Sequence, residues 1–155
     1  DSYFYPLDFL RDWNRLYGKR GFTQYQFVVP LETSRVAVLK ILEIISKKGW
    51  GSFLSVLKRL GQQEGWLSFP FPGYTLAIDM PIKVGLWELL DELDQVVMEY
   101  GGRVYLAKDV RLKPDVFRMM YPEFEKWIKV KRSTDPENLF SSALSKRLEL
   151  VTHRL

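Results

Sequence analysis

The sequence has no cysteine and a single histidine, His153. The first absence removes disulfides, thiolate metal sites and cysteine nucleophiles together. The second leaves no histidine pair for zinc and argues against a serine triad. Also missing is any apolar run near the eighteen or so residues of a membrane helix, because Lys40, Glu43, Lys58 and Asp79 interrupt the longest greasy stretches. A soluble domain is expected. No glycine-rich phosphate loop is present, so a dinucleotide would have to be held mostly by another domain. The chain opens at Asp1 without an initiator Met or a signal peptide, as expected of a fragment.

What is present is aromatic and apolar. Five Trp, eight Tyr and ten Phe among 155 residues supply enough apolar surface to offset an ordering entropy of about 1–2 kcal/mol per residue. One core spanning residues 1–155 is expected. The net charge of +4 is spread along the chain, which permits an acidic partner without selecting one.

Pro6 followed by Leu7, Leu10, Trp13 and Tyr17 predicts a short helix closing at Gly18. Residues 22–29 read as a strand stopped by Pro30. Residues 33–48 carry apolar positions at helical spacing, with Thr33 or Ser34 as cap and Gly49 as stop. A second strand over 52–60, a polar turn, a Pro-rich stretch over 67–73 and a third strand over 74–80 follow. Leu86, Leu89, Leu90, Leu93 and Val97 then form one helical stripe that ends at Gly101 and Gly102. A fourth strand over 103–108 and helices near Phe117 and Trp127 complete the pattern. The order is that of an α+β fold: a ferredoxin-like (split βαβ) antiparallel sheet with helices on one face and additional helices at both ends. Its other face is free to bind.

Side chains alternate along a strand, so Gln24 and Gln26 share one face and Tyr25, Phe27 and Val29 the other. With the first and third strands as central neighbours, Gln24 and Gln26 fall beside Thr75 and Ala77, with Lys58 flanking. Spacing alone is also satisfied by a floor that merely faces water. Lys108 ends an apolar row, as a rim lysine also would. Tyr105 has the opposite parity, so both serve one site only if the strand ends, twists or bulges near Ala107.

Several ungapped motifs carry a resemblance: Gly21-Phe22-Thr23-Gln24-Tyr25-Gln26-Phe27, Lys58-Arg59-Leu60-Gly61, Leu67-Ser68-Phe69-Pro70-Phe71-Pro72-Gly73, Asp79-Met80-Pro81-Ile82-Lys83 and Arg103-Val104-Tyr105-Leu106-Ala107-Lys108-Asp109. In this order they resemble the C-terminal substrate, or cap, domain of FAD-linked oxidases of the vanillyl-alcohol-oxidase type, most like the decaprenylphosphoryl-β-D-ribose oxidases. The resemblance implies an FAD-binding domain upstream, and oxidation of a sugar, sugar-phosphate or aldonolactone hydroxyl by hydride transfer to the flavin. It implies substrate contacts from Gln24, Gln26, Lys58, Leu60, Thr75, Ala77, Tyr105 and Phe4. Lys108, with Tyr105, is implied to lie against the flavin as the catalytic group, and no metal is implied. Thr75, Ala77, Phe4 and Leu60 depart from the mycobacterial residues, so pocket shape differs.

Implied partners are the upstream domain, the sugar and an NAD-dependent reductase acting on the product, with a cytoplasmic or inner-membrane-associated location and no nucleic acid. The rivals are a stand-alone small-molecule-binding domain of the same fold and an RNA-binding module. Arg20-Gly21-Phe22 sits on the wrong strand for the latter.

Overall fold

The computed structural model describes residues 3–4 and 11–151. Aromatic and β-branched residues make β1 (Phe22–Pro30) one of the two central strands. It pairs antiparallel with β3 (Gly73–Pro81) from Phe22 opposite Pro81 to Pro30 opposite Gly73. The outer strands are β2 (Ser55–Leu60), against β3, and β4 (Arg103–Val104), against β1, giving the order β2-β3-β1-β4. α1 (Ser34–Lys47) and α2 (Leu86–Glu99) cross over in between. The expected ferredoxin-like order is therefore found.

Tyr25, Phe27 and Val29 of β1 and Leu76, Ile78 and Met80 of β3 point to the helix side. There they join Ala37, Ile41 and Ile45 of α1 and Leu86, Leu89, Leu93 and Val97 of α2 in one core. Two glycines let backbones approach. A Cβ on Gly73 would lie 2.2 Å from the Val29 carbonyl oxygen, and one on Gly102 would lie 2.5 Å from that of Val28. α3 (Pro114–Met120), α4 (Phe124–Thr134) and α5 (Ala143–Arg147) follow, and the Tyr121 hydroxyl donates to the Val104 carbonyl at 2.6 Å.

Three expectations are corrected. β2 starts at Ser55 and not at residue 52. β4 ends at Val104, because Tyr105 opens a turn in which Lys108 N–H bonds the Tyr105 carbonyl and Asp109 N–H that of Leu106. Before β1, the described residues form only a 3-10 helix, Trp13–Tyr17. Pro6, Leu7, Leu10 and His153 lie outside the described residues. Among the described residues no helix is long and apolar enough to cross a membrane.

Candidate functional site

The sheet face turned away from α1 and α2 is a floor whose rows follow from register. Lys58 stands opposite Thr75, which stands opposite Val28; Val56 stands opposite Ala77, which stands opposite Gln26; Asp79 stands opposite Gln24. Thr75 and Asp79 are buried. The Gln26 side-chain amide donates to Thr75 Oγ1 at 3.0 Å, and the Gln24 amide donates to Asp79 Oδ1 at 2.7 Å. A carboxylate only accepts, so Asp79 fixes which end of Gln24 faces it and leaves Gln24 Oε1 directed elsewhere.

Asp79 is the hub that the sequence reading passed over. Its Oδ2 also accepts from the Tyr17 hydroxyl at 3.1 Å and from the Trp13 indole at 3.4 Å. Burial, reinforced by the Asp79 charge, pushes the Tyr17 phenol up to about 12. The 3-10 helix thus caps one end of the floor, with Tyr17 stacked on Phe22. The signal was available: Asp79 shares the parity of Thr75 and Ala77.

The Pro-rich stretch closes the other end. Phe69 is buried with its ring 4.5 Å from that of Tyr105, and the Arg103 guanidinium donates to the Ser68 carbonyl at 2.8 Å while lying over the rings of Phe71 and Tyr121. Burial lowers the pKa of Arg103. Leu60, opposite Gly73, ends the Lys58 row. Tyr105 reaches the floor beside Gln26, whose carbonyl accepts the Tyr105 N–H at 2.8 Å.

The early end of β4 settles the parity conflict, since Tyr105 and Lys108 are joined by a turn and no longer obey strand alternation. Lys108 is half-buried and lines a shallow cleft with Thr23, Gln24 and Tyr25. Lys108 and the exposed Lys58 form no ion pair among the described residues, whereas most nearby acids are paired. Phe4 is exposed, its ring meeting that of Tyr3, and no described contact ties it to the floor.

A charge cluster anchors the Lys108 turn. Asp109 Oδ1 accepts from the backbone N–H of Arg111 and Leu112, and its Oδ2 pairs with Arg147 of α5 at 2.6 Å. Arg111 bridges Asp91 and Asp94 of α2, and Asp94 also accepts from the Tyr25 hydroxyl at 2.9 Å. Burial raises the Asp94 carboxyl to about 6 against the opposing pull of Arg111. On the floor Val28, Thr75, Ala77 and Asp79 are all buried. The roomier hollows, of about 460 and 380 Å³, lie on the helix side between α1 and β2.

Three comparisons bear on this arrangement. The chain is 45% identical over 151 residues to decaprenylphosphoryl-beta-D-ribose oxidase of Mycolicibacterium smegmatis, covering 97% of this chain and 33% of the relative. It is 40% identical over 108 residues to an uncharacterized protein in the mprA 5′ region of Streptomyces coelicolor, covering 68% of this chain and 29% of that protein. The chain therefore spans about a third of the length of the curated relatives it matches. Residues 19–148, which carry the whole sheet and the Lys108 turn, match the D-arabinono-1,4-lactone oxidase family. On that match the chain belongs to the D-arabinono-1,4-lactone oxidase family.

Proposed function

We propose that this chain is the substrate-binding cap of an FAD-dependent oxidoreductase that oxidises a hydroxyl of a sugar, sugar phosphate or aldonolactone. The observation that carries the reading is the floor: two glutamine amides held by buried partners, flanked by two lysines that no described acid neutralises. Fixed amides suit a polyol, because each offers a carbonyl oxygen to a hydroxyl and an N–H to a ring or lactone oxygen without a net charge. Lys58, exposed at the row end, suits a phosphate or carboxylate on the same substrate. The family's name and that of the Mycolicibacterium smegmatis relative each contain a five-carbon sugar unit, which supports a sugar of that size.

The chain's residues fit one part of a flavin. Lys108 is a half-buried cation in a cleft beside Gln24 and Leu90, suited to the electron-rich edge of the ring system, while no glycine-rich loop here suits a dinucleotide's phosphates. The FAD, when bound, supplies the acceptor for the hydride. Lys108 would favour negative charge developing beside it, an electrostatic contribution that needs no proton transfer from the lysine. Gln24 and Gln26 would orient the reacting hydroxyl, and Tyr105 with Phe69 would wall one side from water.

The test is to express the whole reading frame that contains this chain and record its flavin absorbance. A yellow protein bleached anaerobically by a sugar or sugar phosphate is the expected result. A colourless product that binds a small molecule unaided would overturn the reading in favour of a stand-alone binding domain.

A further inference from the structure

The sheet's hold on the chain ends just before Lys108. β4 pairs with β1 only at Arg103 and Val104, and the Tyr105 N–H bond to the Gln26 carbonyl, 2.8 Å, follows directly. Beyond it the main chain is held by local turn bonds, Lys108 N–H to the Tyr105 carbonyl at 3.1 Å and Asp109 N–H to that of Leu106 at 3.3 Å. Val110, next in the turn, is 56% exposed. So short a surface turn opens easily on its own, and a lysine on it keeps one position only if side chains fix the backbone around it.

Those side chains come from α2. Asp91 and Asp94 stand three residues apart on one helix face, and Arg111 places one terminal nitrogen on each, at 2.6 and 2.7 Å. A planar guanidinium gripped by two carboxylates on a rigid helix has one orientation. The same residue is held at its backbone, where Arg111 N–H donates to Asp109 Oδ1 at 2.9 Å. Asp94 is buried and takes the Tyr25 hydroxyl on its other oxygen at 2.9 Å, while Arg111 Nε is buried with no hydrogen-bond partner among the described residues. A carboxylate set this deep is a poor means of gaining stability, since desolvation raises it to about 6 against the pull of Arg111. What it secures is position. Lys108 and Gln24 line one cleft with Tyr25 and Arg111, two members of this cluster.

We propose that Asp94 is a positioning residue for Lys108, acting through the Arg111 guanidinium and the Asp109 turn to fix the lysine where the flavin edge would lie. This rests on the reading above that Lys108 acts beside a flavin. Asp94 meets Tyr25 from β1, Asp91 on its own helix, and Arg111 and Asp109 from the turn. Lys113 takes the second oxygen of Asp91 at 2.8 Å, and Arg147 of α5 that of Asp109 at 2.6 Å. Burial pushes the Tyr25 phenol well up, so it stays protonated in mild acid. Protonating Asp94 leaves Arg111 with Asp91 as its one charged partner, and the grip on the turn is halved.

The experiment uses the complete polypeptide and pairs anaerobic flavin reduction with residue-resolved amide hydrogen exchange. Wild-type reduction should be about ten-fold slower at about pH 5 than at about pH 7, with its midpoint near 6, and Asp94→Asn should be slow and flat across that range. In a Lys108→Ala background the same substitution should slow reduction no further, because no lysine is left to position. At neutral pH the Lys108, Arg111 and Leu112 amides should exchange about ten-fold faster in Asp94→Asn, while the β1–β3 ladder amides keep their protection. A flat wild-type profile would overturn the proposal without any variant having to fold. Undiminished slowing in the Lys108→Ala background, or turn amides that ignore Asp94→Asn, would overturn it as well. Flavin absorbance separates the two readings. A yellow, substrate-bleached protein whose turn amides ignore Asp94→Asn sinks this inference alone, and a colourless one whose turn amides respond sinks the flavoenzyme alone.

Discussion

Gln24 and Asp79 are joined across the two central strands by a 2.7 Å hydrogen bond in which the amide donates. The bond is obligatory in its direction, and it lets a buried acid dictate what a floor-facing amide presents. Asp79→Asn removes that constraint. The substitution should cost about 2 kcal/mol, because three donors lose a charged acceptor. It should also bring the Tyr17 phenol down from about 12 towards 10, measured by the ultraviolet absorbance of tyrosinate. An unchanged Tyr17 titration would mean that burial alone sets it.

Asp94 gives a pH dependence whose sign is opposite to that of an ordinary ion-paired acid. Its folded value of about 6 lies above its ordinary 3.8, so between those values the folded protein binds more protons than the unfolded one. Its contribution to stability therefore falls as pH rises from about 4 to 6 and is flat above that. Arg111 and the Tyr25 hydroxyl oppose this rise and Asp109 adds to it. In Asp94→Asn the slope should disappear, a difference of about 2 kcal/mol between the ends of that window in urea unfolding. Parallel pH profiles for the two proteins would contradict the assignment.

Lys108 forms no ion pair among the described residues, so its removal should leave the fold nearly unchanged. In the complete enzyme Lys108→Ala should slow anaerobic flavin reduction by about 10²-fold. Urea stability should shift by no more than about 0.5 kcal/mol. Reduction at the wild-type rate would take Lys108 out of the proposed chemistry.

Gly73 and Gly61 make a matched pair for a backbone test. Gly73→Ala places a methyl 2.2 Å from the Val29 carbonyl and should destabilise by about 3 kcal/mol or more, whereas Gly61 has open space around it and no left-handed backbone. Gly61→Ala should stay within about 0.5 kcal/mol of the parent in the same unfolding assay. Equal effects at the two positions would refute the register that brings β3 against β1.

The sheet and its floor were legible because strand parity is a local property. Gln24, Gln26, Thr75, Ala77 and Lys58 lie on one face whatever packs around them. The end of β4 was not legible, since Val104, Tyr105 and Leu106 continue a strand-like run of apolar and aromatic residues while the backbone has already turned. What turns it is the Asp109 carboxylate, which captures two following amides and an arginine 38 residues further on, and no window of sequence contains that arginine. Asp79 was hidden for a related reason. A lone acid in a strand reads as an interruption until its three donors arrive from Trp13, Tyr17 and Gln24.

The salt bridge between Arg147 and Asp109 makes α5 a remote hinge-pin for the turn that bears Lys108. α5 contributes nothing to the floor, yet a stop codon placed before it would unhook the turn that bears Lys108 while every floor residue stayed in the gene. If Lys108 acts as proposed, tail length becomes a determinant of turnover, and surveys that look only at pocket residues would miss it.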